Sequence, residues 1–227
     1  MNKIRFIKLS VLLMCFVSLN VYGQRKEISR EEFLDAYKKA GEKIKTIAFR
    51  ITIKNELYRG NEWEIIQSDV ADFVPPDRRH TITEVTAPNG KKIFIERILI
   101  GNDDYKRENG GNWIKRTSNT TNQQQNNPIK TVENDSKFYL TENIQFNNQT
   151  ANLYEVLAEY KITTPIRATN ERKETISYRK EKRWISRDGL LLKMEMEDEF
   201  QGTQKSNSRR TWIYEYDASI KIEAPIK

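Results

Sequence analysis

Residues Leu190–Phe200, with the sequence LLLKMEMEDEF, decide the fold of this 227-residue chain. Apolar and charged side chains alternate along most of the stretch, so that Met194 and Met196 share one face and the glutamates share the other. A period of two is typical of a β-strand with one buried face. Arg187-Asp188-Gly189 precedes the stretch and is a turn signal. The sequence therefore predicts a β-hairpin between Thr175–Ser186 and Leu190–Phe200.

The same alternation recurs over much of the chain. Further strands are predicted over 47–54, 63–73, 79–86, 92–100, 104–107, 112–117, 153–163 and 209–217. Pro88-Asn89-Gly90 and Gly101-Asn102-Asp103 separate neighbouring strands and favour tight turns. Nine or ten antiparallel strands joined by hairpins predict a mainly β (α+β) domain, built on one open antiparallel sheet that curls toward a barrel.

Two helices are expected beside the sheet. Ser29-Arg30-Glu31-Glu32 has the form of a capping box, in which the serine hydroxyl caps the backbone amide three residues later. Apolar residues then recur at helical spacing until Gly41, which predicts a helix over about 29–40. Residues Ile129–Leu140 are ambiguous, and the expectation there is a short helix across the mouth of the sheet. Ser118–Asn127 consists mostly of Asn and Gln, which predicts a flexible loop.

Residues 1–23 have the layout of a secretory signal peptide. A basic head precedes the apolar run Val11–Leu19, and a small residue, Gly23, closes the segment. The run is shorter than the roughly 20 residues that span a membrane, although an uncleaved anchor is the alternative. Met14 precedes Cys15 where a lipoprotein signal has a small residue. We therefore expect export across the inner membrane to the periplasm without a lipid anchor, and a single folded domain over 24–227.

The composition excludes several classes of function. The chain has one Cys, one His and a formal net charge of +7. Cleavage after residue 23 removes the Cys and three of the 39 basic residues, which leaves 36 against 32 acids and a charge of +4. An exported domain without cysteine depends on core packing rather than on disulfides. Nucleic-acid binding is not expected, whereas a weak attraction to anionic lipid head groups stays open.

The sequence contains no motif for catalysis. A nucleophile elbow, a phosphate loop, a dinucleotide fingerprint and a zinc-protease helix are all missing. His80 has no partner in any motif and is expected to be a surface or sheet-edge histidine rather than a general base. The chain is therefore predicted not to be an enzyme and to carry no cofactor.

Acidic residues cluster near the end of the predicted strand Leu190–Phe200. Glu195, Glu197 and Glu199 share one face, and Asp198 lies on the other. The expected partners are the basic residues across the hairpin, namely Arg179, Lys180, Lys182, Arg183 and Arg187. A calcium site is the alternative, but the loop that binds calcium is absent, so no metal is predicted.

Three C-terminal stretches resemble a known superfamily. They are RWISRDGLLLKME at 183–195, TWIYEYD at 211–217 and IEAP at 222–225, with looser likeness at 73–79, 101–106 and 111–115. Together they are similar to the bacterial LolA/LolB-like superfamily of periplasmic lipoprotein carriers and lipid-binding relatives, over roughly 42–225. The resemblance implies an unclosed half-barrel with helices on its concave side, a hydrophobic cavity for acyl chains and no catalytic residue. Ser118–Asn127 departs from a standard carrier and, with Ile129–Leu140, is expected in the lid region.

Apolar side chains on the predicted strands are the candidate ligand-binding residues. A packed core is the simpler interpretation of each one, and a cavity lining is the alternative. Methionine suits a cavity because its thioether adapts to ligands of varied shape. The candidate cavity residues are Phe49, Ile51, Ile53, Trp63, Leu192, Met194, Met196, Trp212 and Tyr214.

The predicted function is that of a non-catalytic periplasmic binding protein. It is expected to act as a monomer and to hold lipid or lipoprotein acyl chains in the cavity of the unclosed barrel. The alternative is an envelope sensor or regulatory module of the same fold, which binds a membrane or envelope protein partner. An enzyme is the third hypothesis and is disfavoured because the motifs are missing.

Overall fold

The computed structural model describes residues 23–59, 61–117, 130–165, 172–201 and 206–226. In these ranges the chain forms one 12-stranded antiparallel sheet and one α-helix. The elements in chain order are β1 (Arg25–Ile28), α1 (Arg30–Ile44), β2 (Phe49–Arg59), β3 (Glu62–Val74), β4 (Arg78–Thr86), β5 (Lys92–Ile100), β6 (Asp103–Glu108), β7 (Ile114–Thr117), β8 (Lys130–Phe146), β9 (Gln149–Pro165), β10 (Arg172–Ser186), β11 (Leu191–Gln201) and β12 (Ser206–Tyr216). The predicted mainly β class and the hairpin of β10 and β11 are confirmed.

The order of strands across the sheet is β1-β8-β9-β10-β11-β12-β2-β3-β4-β5-β6-β7. Neighbours in this order follow each other in the chain, except that β1 pairs with β8 and β12 pairs with β2. The β12–β2 pairing joins the two ends of the domain, with Trp212 opposite Ile53. The edge strands are β1 and β7, so the sheet is open, as the sequence predicts.

The helix starts at its predicted cap and runs past its predicted end. The Ser29 hydroxyl accepts a hydrogen bond from the Glu32 backbone amide at 3.0 Å. The helix continues through Gly41 to Ile44. Glycine costs roughly 1 kcal/mol inside a helix, but the extra turn places Ile44 against Phe49 and Ile51. The packing of Ile44 outweighs the tendency of Gly41 to end the helix.

The predicted helix over Ile129–Leu140 is wrong, because residues 130–146 form the strand β8. Phe138 and Leu140 pair with Val156 and Tyr154 of β9, and their side chains share the face that α1 covers. Asn147 and Asn148 close the hairpin with φ values of 47° and 64°. Two consecutive left-handed residues are the requirement of a tight hairpin turn. Pairing with β9 thus determines a conformation that the local sequence left ambiguous.

The short strand β1 is absent from the sequence prediction. It pairs with β8 at one edge of the sheet, with Arg25 opposite Thr141. The Arg25 guanidinium lies 3.6 Å from the centre of the Tyr139 ring and donates to Glu155 at 2.8 Å. Four residues are too few for a periodic signal, and the strand is held by pairing with β8, by Arg25 and Lys26, and by Ile28, which packs against the Phe33 cluster.

Helix α1 covers only part of one face of the sheet, which we call the helix face. Its apolar side chains pack in three places: Phe33 on Val156 and Ala158, Ala40 on Ile185 and Leu191, and Ile44 on Phe49, Ile51 and Ala71. The helix-face side chains of β4–β7 belong to none of the core clusters of the described residues. This half of the helix face is where the candidate site lies.

The opposite face is covered near the other end of the sheet by the C-terminal tail. Ile222 is buried against Ile98 and Tyr105. The Arg78 guanidinium donates to the Ile222 carbonyl at 3.0 Å. Helix and tail therefore cover opposite faces at different halves of the sheet.

Candidate functional site

A cavity of about 520 Å³ lies on the helix face over β2–β7. Its lining residues are Ile53, Gln67, Asp69, Arg79, Thr81, Thr83, Ile95, Arg97, Leu99, Asp104, Lys106 and Arg116. The pairing register explains why they share a face: Asp69 lies opposite Thr83, and Thr83 lies opposite Ile95. We call this space the helix-face cavity.

Tight turns hold the strands of the helix-face cavity in this register. The β4–β5 turn contains Gly90 with φ of 78°, a conformation that side chains disfavour. The amide of Gly90 donates to the Ala87 carbonyl at 2.8 Å, and the amide of Ala87 donates to the Lys91 carbonyl at the same distance. A shift of one residue would turn every side chain of β5 to the other face. The Pro88-Asn89-Gly90 signal therefore positions one wall of the cavity.

Both carboxylates in the cavity have hydrogen-bond partners. Asp104 accepts two hydrogen bonds from Arg97, each 2.7 Å long. This bidentate pair raises the pKa of Arg97. Asp69 is buried and accepts hydrogen bonds from the Gln67 amide at 2.9 Å and the Thr83 hydroxyl at 2.5 Å. The charge of Asp69 is thus met by neutral donors and that of Asp104 by one arginine.

Arg79 is a half-buried cation without a carboxylate partner among the described residues. Its Nε donates to the Thr81 hydroxyl at 2.9 Å, and its guanidinium lies 4.9 Å from the centre of the Phe73 ring. Burial, with a smaller contribution from the nearby charge of Arg97, lowers the pKa of Arg79. Arginine nevertheless stays protonated in proteins, so the cavity keeps this charge at neutral pH.

The helix-face cavity has an excess of positive charge. Four basic side chains, Arg79, Arg97, Lys106 and Arg116, line it against two carboxylates, Asp69 and Asp104. Lys106 also pairs with Glu108 at 2.7 Å, whereas no carboxylate of the described residues forms an ion pair with Arg116. The apolar part of the lining is Ile53, Ile95 and Leu99. The arrangement is therefore amphipathic and suits a ligand with both an anionic and an apolar part.

The structure distributes the predicted cavity residues over three environments. Phe49 and Ile51 are 6% and 7% exposed and fill a core cluster, against which Trp212 and Tyr214 pack. Ile53 belongs to the edge of this cluster and lines the helix-face cavity. Met194 pairs with Trp212, and Met196 pairs with Arg210, so both methionines point to the helix face. Leu192 is buried beside the register shift between β10 and β11.

Trp63 lies on the opposite face, so its predicted place among the cavity residues is wrong. The Arg209 guanidinium covers its ring at 4.4 Å from the centre, and the Tyr58 ring packs against its edge. The cause is a bulge in β3: Gln67 pairs with Asn55 and Ile65 pairs with Glu56, so Ile66 has no partner. An extra residue reverses the alternation beyond it.

Sequence reasoning missed the charged lining of the cavity. Arg78-Arg79 and Lys106-Arg107 read as solvated basic pairs, but a strand sends adjacent side chains to opposite faces. Arg79 and Lys106 point into the cavity, while Arg78 binds the tail and Arg107 pairs with Glu96. Once the hairpin registers are known, strand alternation places Arg79 and Lys106 on the same face as Ile95 and Leu99. The sequence could have identified them only in this way.

His80 lies on β4 between β3 and β5 and its side chain is partly exposed, which agrees with the predicted surface position and not with the sheet-edge alternative. Its Nε2 is 2.8 Å from Glu96 Oε1 on the opposite face, and Arg107 pairs with the other oxygen of Glu96. Bonds to His80 and Arg107 lower the pKa of Glu96 despite its burial. The contacts give the histidine a structural hydrogen-bond partner outside the cavity.

The predicted pairing of the acidic cluster across the hairpin is seen for Asp198 with Arg179, whereas Arg183 pairs with Glu181 of its own strand and Arg187 donates to Asn143. Asp198 is buried on the helix face and accepts hydrogen bonds from Arg179 at 2.7 and 3.2 Å. Lys182 and Lys180 lie opposite Glu195 and Glu197 in the pairing register, although Glu195 bonds to Lys193 of its own strand. Within the described ranges, no group of three or more His, Cys, Asp and Glu side chains is placed to hold a metal ion.

Two regions of the sequence prediction lie outside the described residues. They are the signal segment, of which residues 1–22 are not described, and the loop Ser118–Asn127. Among the residues that the structure does describe, no helix has the length and apolarity to cross a membrane.

Several solved structures are similar to this chain. LprF from Mycobacterium bovis matches with a TM-score of 0.42 and 10% identity, over 88% of this chain and 99% of LprF. A putative outer membrane lipoprotein-sorting protein domain from Vibrio parahaemolyticus matches with a TM-score of 0.30 and 10% identity, over 85% and 95%. A LolA superfamily protein from Nitrosomonas europaea matches with a TM-score of 0.26 and 11% identity, over 83% and 92%. No protein-family model and no curated protein matches the chain.

Proposed function

We propose that the chain is a non-catalytic binding protein of the bacterial envelope that holds the acyl chains of a lipid or lipoprotein on its helix face. The observation that supports this most directly is the helix-face cavity, which lies where α1 leaves the open sheet uncovered. Its volume of about 520 Å³ falls within the roughly 300–1,000 Å³ of typical ligand sites. The resemblance of the sequence to lipoprotein carriers points to the same class of ligand.

An apolar row leads out of the cavity across three strands. Ile53 of β2 lines the cavity and lies opposite Trp212 of β12, which lies opposite Met194 of β11. All three side chains are half-buried. An acyl chain along this row would gain about 0.8 kcal/mol for each CH₂ group it buries. The row thus gives the candidates Ile53, Met194 and Trp212 a role that the buried Phe49 and Ile51 do not have.

The proposed location is the periplasm, reached through the signal segment at 1–23. The basic head and short apolar run of this segment support export, and Met14 before Cys15 supports a chain without a lipid anchor. We propose that residues 24–227 form a single domain, which the joining of all described strands into one sheet supports. A monomer is the proposed state.

A sensor module that binds an envelope protein is the second candidate function. It is favoured by two exposed apolar side chains on the opposite face, Ile82 and Phe94, which are 43% and 44% exposed. The two side chains lie close together on neighbouring strands. Ile82 of β4 lies opposite Glu96 of β5, and Phe94 precedes Glu96 by two residues on β5. A contiguous exposed apolar patch is typical of a protein interface.

A binding titration with a fluorescent fatty-acid analogue separates the two candidates. Ile95→Glu places a carboxylate in the helix-face cavity and should weaken binding of the analogue at least about tenfold, because a charge must then be desolvated beside an apolar chain. Ile82→Glu is the matched control on the opposite face of the neighbouring strand and should leave binding unchanged. Absence of analogue binding to the unmodified chain would contradict the proposed function.

A further inference from the structure

We propose that the helix-face cavity holds the phosphate-bearing head group of an anionic amphipathic ligand, and that Arg79 and Arg116 contact this anion. The inference deepens the proposed function and rests on it, because it assigns the polar end of the ligand whose acyl chains follow Ile53, Trp212 and Met194. Its basis is the distribution of charge and of unused hydrogen-bond donors in the cavity.

The positive excess of the cavity resides on Arg79 and Arg116. Arg97 is committed to Asp104 by two hydrogen bonds of 2.7 Å, and Lys106 is paired with Glu108. The remaining carboxylate, Asp69, is satisfied by Gln67 and Thr83. A ligand anion would therefore meet two cations that form no ion pair with a described carboxylate, while the charge of Asp69 acts on Arg79 from nearby.

Arg79 has free donors that face the cavity. Among the hydrogen bonds between described residues, only its Nε donates, to Thr81, so that both Nη groups keep their hydrogen atoms for another acceptor. Its guanidinium is oriented by the Phe73 ring, 4.9 Å from the guanidinium carbon, and by the Nε hydrogen bond to Thr81. A planar guanidinium held in this way matches two oxygens of a phosphate at once.

The two arginines occupy the same cross-strand row. Arg79 of β4 lies opposite Leu99 of β5, Leu99 lies opposite Asp104 of β6, and Asp104 lies opposite Arg116 of β7. Strands are separated by about 4.8 Å, so the two backbones are about 14 Å apart, with Leu99 and the Arg97-paired Asp104 between the cations. An extended head group on an apolar stem fits this spacing better than a small free ion. The geometry therefore favours phosphate carried by a lipid.

The half-buried state of Arg79 supports an anionic occupant. A cation removed from water without an ion partner is unfavourable, and here Arg97 adds repulsion, which contributes to the lowered pKa of Arg79. A phosphate group between Arg79 and Arg116 would offset both effects. The hydroxyl of Thr81 lies in the same lining and, because it accepts from Arg79 Nε, keeps its own hydrogen as a further donor.

Isothermal titration with three probes tests the proposal. The probes are dihexanoyl phosphatidylglycerol, dihexanoylglycerol with the same chains and no phosphate, and inorganic phosphate. We expect the phospholipid to bind about tenfold or more tighter than either of the others, since one hydrogen bond to a charged group is enough to change affinity about tenfold. Arg79→Gln and Arg116→Gln should each remove most of this preference, so that each variant binds the phospholipid and dihexanoylglycerol with similar affinity.

Lys115→Gln is the matched control. Lys115 neighbours Arg116 on β7, points to the opposite face and pairs with Asp103, so its loss changes the net charge equally without touching the cavity. Circular dichroism should show that all variants keep the fold. Equal binding of the two lipids, or equal effects of Lys115→Gln and Arg116→Gln, would overturn the anion site while the proposed function stands.

The probes also separate failure of the proposed function from failure of the anion site. Binding of inorganic phosphate as tight as that of the phospholipid, with both lost in Arg79→Gln, would overturn the lipid-borne source and show a site for free phosphate. Binding of neither lipid would contradict the proposed function itself. Only preference for the phospholipid, lost in the two cavity variants and kept in Lys115→Gln, supports the proposal.

Discussion

Arg78 and Arg79 are adjacent in the chain and serve opposite faces of β4. The Arg78 guanidinium donates to the Ile222 carbonyl at 3.0 Å and fastens the C-terminal tail, whereas Arg79 lines the helix-face cavity. A single strand thus joins a structural contact on one face to the candidate ligand site on the other. By packing on the opposite face, the C-terminal tail stabilises the strands that carry the candidate site.

The tail should contribute strongly to stability through Ile222. This side chain is 4% exposed and packs on Ile98 and Tyr105, so Ile222→Ala should lower the free energy of unfolding by about 2–4 kcal/mol. Urea denaturation followed by tryptophan fluorescence measures the change. Ile226→Ala is the control, since Ile226 is 41% exposed and should lose less than about 0.5 kcal/mol. Similar losses in the two variants would contradict the packed tail.

The β8–β9 hairpin can be tested at its turn. Asn147 and Asn148 both have positive φ, which glycine adopts without strain and alanine does not. Asn148→Gly should preserve or raise the melting temperature, whereas Asn148→Ala should lower stability by about 1 kcal/mol. Thermal unfolding by circular dichroism measures both. A helical β8 segment would give the reverse order, because alanine favours helix over glycine.

The hairpin shows where sequence reasoning reaches its limit. Leu190–Phe200 was assigned correctly because strict alternation and the Arg187-Asp188-Gly189 turn agree with each other. Ile129–Leu140 was assigned wrongly because its apolar residues are few, and pairing with β9 supplies the information that the segment lacks. Trp63 was placed on the wrong face because the bulge at Ile66 has no local signature.

The candidate site was only partly visible in the sequence for the same physical reason. The sequence identifies Ile53 as a cavity residue, because the alternation of apolar residues along β2 continues as far as the cavity. Arg79 and Arg116 are not identified, because a basic residue on a strand reads as solvated until the register shows which face it occupies. Their role depends on the pairing of four strands, β4 to β7, which brings residues distant in the chain into one row.

The buried ion pair of Asp198 and Arg179 should be sensitive to the loss of one partner. Asp198→Ala leaves Arg179 half-buried without its carboxylate and should destabilise the chain by about 2 kcal/mol. Exposed pairs contribute little, so Glu42→Ala, which removes the partner of Lys45, should produce no measurable change. Chemical denaturation of the two variants in parallel measures the difference, and equal stabilities would show that the Asp198 pair is not buried in solution.

Stability should fall at high pH because of Tyr214. Burial raises the pKa of Tyr214 to about 12, above the value near 10 of an unfolded tyrosine. Between these values the folded state binds more protons than the unfolded state, so the free energy of unfolding decreases as pH rises from about 10 to 12. Tyr214→Phe should flatten this decrease, measured by urea titrations at several pH values, and Tyr58→Phe, at an exposed site, should not. An unchanged slope in Tyr214→Phe would show that other groups cause it.

The central claim is that this chain carries a lipid on its helix face. The most direct test is native mass spectrometry of the full chain, purified without detergent. We expect a population heavier than the polypeptide, whose extra mass is released by solvent extraction and restored by incubation with a phospholipid extract of the cells. Ile95→Glu should lack this population, whereas Ile82→Glu should keep it. A spectrum that contains only the bare polypeptide, before and after incubation with the extract, would contradict the account.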